Sequence, residues 1–175
     1  MLEFKCSKPG FHARHGAVWR VYGYRFCRGK KENPFRTGCW LVDPGDWKAG
    51  DYDRALDLLA GGVPTAVFSG SGGSNYEADT WPVKLKIKQR GSAEIWLLAG
   101  AESFRYRMVR CLAGGVGRVF AGQWDPGDLE KIITGKNRTV KPAPADGCYL
   151  TKVFYENQNN WLEISWNKIL KFFDN

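Results

Sequence analysis

Four arginines, Arg105, Arg107, Arg110 and Arg118, are set into the stretch Ser103–Gly122 (SFRYRMVRCLAGGVGRVFAG). Around them Phe104, Met108, Cys111, Leu112, Val116 and Val119 recur at helical spacing, which predicts one long helix with a buried stripe. Ser103 suits its N-cap and Gly122 its stop. Ala113, Gly114, Gly115 and Gly117 weaken such a helix intrinsically, and are tolerated where another backbone must come close. Guanidinium groups beside the stripe suit an anion such as phosphate. The whole chain leans the same way: 26 Lys and Arg against 18 Asp and Glu leave a formal net charge of +8. That excess suits a polyanion such as RNA; the alternative is a soluble basic surface with no such partner. Arg14, Arg20, Arg28, Lys30, Lys31, Lys136, Arg138 and Lys141 join Arg105 and Arg107 as candidate RNA contacts. Arg28–Asn33 (RGKKEN) reads as a basic turn, either solvated or phosphate-binding.

Other chemistries find less support. The cysteines are Cys6, Cys27, Cys39, Cys111 and Cys148, an odd set with no C-x-x-C. A disulfide framework or zinc knuckle is therefore not expected, and an intracellular reducing compartment fits. His12 and His15 lack further ligands for a metal, and no cofactor is implied. Asp43, Asp46, Asp51 and Asp53 read as turn or cap residues. The run Phe68–Ser74 (FSGSGGS) lacks the Lys-Ser/Thr ending of a phosphate-binding loop, so it reads as a connection. No apolar run is long enough to cross a bilayer, and no signal peptide opens the sequence. Eight tryptophans and seven tyrosines serve a core or interface, with some free to stack on bases.

The elements that must position these groups read in order. Ala17–Cys27 alternates as a strand, with Val18, Arg20, Tyr22 and Tyr24 on one side and Trp19, Val21 and Gly23 on the other. Trp40–Val42 is a short strand, and Asp51–Ala60 an amphipathic helix burying Ala55, Leu58 and Leu59. Trp81–Gln89 and Ala93–Ala101 form a hairpin. In it Val83, Leu85 and Ile87 oppose a row of Lys84, Lys86 and Lys88, which is either solvated or tracks RNA. Asp125 and Pro126 open a second helix to Thr134. Lys136–Pro144 is a basic loop, and Tyr149–Tyr155 a final strand. This order predicts an α+β fold, a mostly antiparallel sheet with helices on one face. Residues 1–10 read as a leader and 11–155 as the domain. In 156–175, Leu162, Trp166, Ile169, Leu170 and Phe173 make an amphipathic helix that docks on its own sheet or on another protein.

The run Phe104-x-x-x-Met108-Val109-Arg110 resembles the C-terminal half of the TruA family of tRNA pseudouridine synthases. In order, Phe11-His12-Ala13-Arg14 matches the family's F-x-A-R and Arg20-Val21-Tyr22-Gly23-Tyr24 its K/R-x-Y-x-Y. Asn137-Arg138 stands at its D-R, Pro142–Leu150 resembles A-P-A-x-G-L-x-L, and Val153-Phe154-Tyr155 the closing V-x-Y. The resemblance implies a pseudouridine-synthase-like half-domain. In such enzymes the glycosidic bond of a uridine breaks and the base rejoins through carbon, with an aspartate as nucleophile or base and the target base out of its stack. It also implies that Tyr22 stacks on the target base and that Arg110 pairs with the aspartate. The family's aspartate lies in G-R-T-D-x-G-V-H ahead of F-x-A-R, and no such motif occurs in this sequence; Arg36-Thr37-Gly38 has glycine in its place. The expectation is a non-catalytic RNA- and protein-binding subunit of a ribonucleoprotein, such as an organellar (mitochondrial) ribosome, contacting rRNA or tRNA and other protein chains. The alternatives are half of a split synthase whose aspartate is on another chain, and a protein-interaction module in a large assembly. An unneutralised Arg110 costs several kcal/mol if buried, so an anion is expected beside it.

Overall fold

A computed structural model describes residues 7–29, 38–42, 49–60, 62–70, 80–134 and 140–155. Strand β1 (Trp19–Arg28) is the axis. One of its edges pairs antiparallel with β6 (Glu94–Ala101), which pairs in turn with β5 (Lys84–Arg90). The other edge is shared: β7 (Cys148–Phe154) lies antiparallel along Trp19–Tyr24, and β2 (Trp40–Val42) parallel along Phe26–Arg28. Two-residue strands β3 (Val63–Pro64) and β4 (Thr80–Trp81) form a separate pair. The architecture is α+β, as the sequence predicts.

Helices α1 (Ala49–Ala60), α3 (Met108–Phe120) and α4 (Pro126–Thr134), with the single turn α2 (Thr65–Phe68), cover one sheet face. Tyr24, Phe26, Ile95 and Leu97 from the sheet meet Met108, Leu112 and Val116 of α3, Leu59 of α1 and Leu129 of α4 in the main core. The opposite face buries Trp19, Val21, Trp96 and Leu98. The alternation in β1 therefore holds from Trp19 onward. Val18 departs from it: it precedes the strand and packs with the second group. The lysine row shares that second face, since Lys86 and Lys88 stand opposite Leu98 and Trp96. Its three lysines are half-buried.

Helix α4 starts as predicted, through a reciprocal cap. The Asp128 amide donates to Asp125 Oδ1 at 2.8 Å, and the Asp125 amide to Asp128 Oδ2 at 3.1 Å. The bond from the Asp125 amide, with a side-chain bond from the Lys131 ammonium, holds the Asp128 carboxyl below its ordinary range. Helix α3 is shorter than expected. Ser103 is not its cap and Phe104 not part of its stripe: the helix begins at Met108 behind Arg107, at φ 58° and ψ 9° with no side-chain cap. Phe104 instead packs against Tyr22 in a T-shaped pair, centroids 5.2 Å apart. Gly122, at φ +64°, ends the helix as predicted, its amide bonding to the Val119 carbonyl at 3.0 Å.

The small residues of α3 admit their neighbours. A Cβ on Gly114 would lie 2.1 Å from the Lys141 carbonyl oxygen, and one on Gly117 2.4 Å from the Trp40 ring. Among the described residues, Cys27, Cys39, Cys111 and Cys148 are free thiols. The possible C-terminal helix and most of the leader lie outside the described residues.

Candidate nucleic-acid interface

Arg110 sits in the first turn of α3, held by the segment Pro142-Ala143-Pro144. Its Nε donates to the Ala143 carbonyl at 2.8 Å, and the Ala143 amide donates back to the Arg110 carbonyl at 2.8 Å. Both flanking prolines lack an N–H, so Ala143 supplies the one donor available there. Gly114 lets this segment approach the helix. The same segment ties the helix to β1, because the Tyr24 hydroxyl donates to the Pro144 carbonyl at 2.7 Å. Burial pushes the Tyr24 phenol well up, aided by Cys148 and opposed by Arg110, so Tyr24 stays neutral and donating.

With Nε engaged, the two terminal nitrogens of Arg110 face no carboxylate within ion-pair distance among the described residues. The ion pairs there are Arg25–Glu94, Arg54–Glu130 and Lys131–Asp128. The charge of Arg110 is felt by its neighbours: burial raises the Cys111 and Cys148 thiols, and Arg110 works against the rise in both. Arg107 likewise has no acidic partner among the described residues. No acid occupies the first turn of α3, where the aligned peptide dipoles are themselves positive. Arg107 and Arg110 thus gather at the end of a helix that least favours cations, an arrangement that an anion would relieve.

Tyr22, which the resemblance pairs with Arg110 as an expected site residue, lies on the helix-facing side of β1 at a bulge between Val21 and Tyr22. It makes no hydrogen bond or cation–π contact with Arg110 among the described residues; Phe104, leading into α3, is its ring partner. The remaining candidates divide. Arg14 and Arg20 line a cavity of about 590 Å³ with His15, Ala17, Val18, Glu102 and Ser103. Arg20 also has a structural task, donating to the Glu102 and Arg14 carbonyls. Arg28 is exposed at the opposite end of β1. Lys141 has an exposed side chain beside α3, and its carbonyl accepts from Arg118 at 3.5 Å. Lys30, Lys31, Lys136 and Arg138 lie outside the described residues, as do Asp43 and Asp46. The His12 and His15 rings lie 4.4 Å apart and tilted, and His12 Nδ1 accepts from the amides of Arg14 and His15. No metal-ligand cluster occurs among the described residues.

Sequence reasoning missed the groups around these arginines. The Arg105 guanidinium lies over the Trp81 ring at 4.3 Å, and Arg107 over Tyr106 at 4.9 Å. The Trp81 indole N–H donates to the Ser103 carbonyl at 2.8 Å. The alternation Arg105-Tyr106-Arg107 was the available signal.

A family model described as tRNA pseudouridine synthase matches residues 76–156. Among curated proteins, tRNA pseudouridine synthase A of Syntrophomonas wolfei is 29% identical over 157 residues, covering 89% of this chain and 63% of the relative. That of Bacillus licheniformis is 31% identical over 149 residues, covering 84% and 60%. That of Staphylococcus aureus is 28% identical over 175 residues, covering 94% and 59%. The chain is similar to the tRNA pseudouridine synthases A. It spans about three fifths of the length of these relatives. The family-model match takes in Arg110 and the strands β5 to β7, and 94% coverage leaves too few residues outside to omit β1 and Tyr22. Among the described residues, no helix is long and apolar enough to cross a membrane.

Proposed function

We propose that these residues form the RNA-holding wall of a bipartite uridine-isomerising site, whose aspartate comes from outside the 175-residue sequence. The observation that carries the reading is Arg110. Its Nε is fixed by the Ala143 carbonyl, and its terminal nitrogens are left for an anion. A guanidinium anchored in this way is preorganised to take a carboxylate in bidentate fashion, or a phosphate. Tyr22, whose ring meets that of Phe104 at a near-right angle, offers an aromatic surface for the displaced base. The reaction needs no cofactor: the N1–C1′ bond breaks, a C5–C1′ bond forms, C5 loses a proton and N1 gains one. Arg110 would position the incoming carboxylate. Tyr22 would hold the base while it turns.

A second reading has its own support. Asn137 stands where the family has aspartate, and Gly61–Phe68 keeps only the ends of the family's G-x-H-D-F-x-x-F. These departures fit a domain that binds RNA without modifying it, as a ribonucleoprotein subunit. Mixing the full chain with a polypeptide bearing the R-T-D half, together with tRNA, separates the two. Pseudouridine, detected by carbodiimide adduct and primer extension and appearing only in the mixture, supports the bipartite site. RNA binding without conversion in every mixture supports the structural subunit. No RNA binding at all contradicts both.

A further inference from the structure

We propose that Tyr106 is a stacking platform for an unpaired nucleobase adjoining the modified position, a second RNA contact beside Arg110; the inference rests on the RNA-binding reading above. At 63% exposure, Tyr106 is the most exposed of the large hydrophobic side chains described. Its backbone is pinned nonetheless. The Gly70 amide donates to the Tyr106 carbonyl at 2.8 Å, and the Met108 amide to the Arg105 carbonyl at 3.1 Å. A Cβ on Gly70 would come within 3.0 Å of the Tyr106 ring, so glycine there leaves the ring its place. Arg107 holds a left-handed backbone conformation immediately after it, a state that non-glycine residues keep only when their surroundings impose it.

An aromatic ring held rigidly toward solvent loses little freedom on binding. The Arg107 guanidinium lies over the ring at 4.9 Å, which leaves the opposite face for a second π-system. Every base has such a face, so the platform is indifferent to sequence. The cations beside it decide for RNA over an apolar protein surface. Arg107 stacks on this ring, Arg105 on Trp81 and Arg110 follows one turn on. A base on Tyr106 would carry its phosphate into that group. Bases in a duplex are not free to splay onto a ring, so the ligand is single-stranded or looped RNA.

The test uses the full chain and a uridine-rich single-stranded oligoribonucleotide carrying 2-aminopurine. Tyr106→Ala should weaken binding about ten-fold or more and abolish the stacking-dependent fluorescence change. Its slope of log affinity against log salt should stay at the wild-type value, because stacking releases no counterions. Tyr106→Phe and Tyr106→Trp should bind like wild type, and all variants should melt at the same temperature. Tyr106→Ala binding with wild-type affinity overturns the proposal, as does Tyr106→Phe failing as badly as alanine, which would assign the contact to the hydroxyl. A wild-type chain that binds no RNA overturns the RNA reading itself, a result distinct from either.

Discussion

In the middle of α3, Gly114 and Gly117 leave no space: a Cβ would fall 2.1 Å from a carbonyl oxygen and 2.4 Å from a tryptophan ring. At its start, Arg107 holds a positive φ just ahead of the first turn, and within that turn Arg110 presents nitrogens without an acidic partner among the described residues. The middle of the helix is settled by packing alone. Its start carries a left-handed arginine and crowded positive charge, features that packing does not require. Unresolved charge and imposed backbone strain of this kind gather where a ligand is meant to arrive.

The sharpest break in this contrast is Gly114→Ala. The added methyl meets backbone, which cannot swing aside, so the substitution should cost about 3 kcal/mol or more. Urea unfolding would show it, and RNA binding should fall only as the folded fraction falls. Arg110→Ala is the reverse case. It removes one hydrogen bond, worth about 1 kcal/mol of stability, but should abolish uridine conversion in the complemented mixture. Arg110→Lys should rescue little, since an ammonium cannot form the bidentate pair. Comparable loss of stability and function across both substitutions would erase the distinction between the two parts of the helix.

Arg107→Gly sharpens it further. Glycine relieves the left-handed backbone, so stability should rise by about 1 kcal/mol, while the salt slope of RNA binding should shrink by about 1. A substitution that stabilises the fold while weakening the ligand is what a functional strain predicts. The smallest effect belongs to a site away from α3. Burial alone would raise Glu94, but hydrogen bonds from Arg25 at 2.8 Å and from Trp96 more than offset it, so its carboxyl lies below the usual range. Its contribution to stability is therefore complete above its unfolded value, about 4.3, and fades as pH falls through the folded value. Glu94→Gln should flatten the acid limb of a stability-against-pH curve and leave RNA binding unchanged.

Legibility in the sequence follows the same division. Strand β1, the β5–β6 hairpin, α1, α4 and the small-residue patch were readable because period, caps and glycine placement are local signals. The start of α3 was not. Ser103 has the right side chain for a cap, but Phe104 is drawn off to pack on Tyr22 and the helix cannot begin until Met108. Tertiary contact overrode a local preference. Strands β3 and β4 have two residues each, and α2 four, too few to show a period. Arg110 was singled out in the sequence through its run with Phe104 and Met108. Its anchoring to Ala143 was not, because that contact joins positions far apart in the chain.

The central claim is that Arg110 is held open for an anion: a carboxylate in the completed bipartite site, an RNA phosphate in this chain alone. The most direct measurement is the slope of log affinity against log salt for single-stranded RNA, compared between the wild-type chain and Arg110→Gln at equal folded fraction. A slope smaller by about 1 in the variant is the predicted result. Identical slopes would mean that this guanidinium meets no phosphate, and would contradict the account.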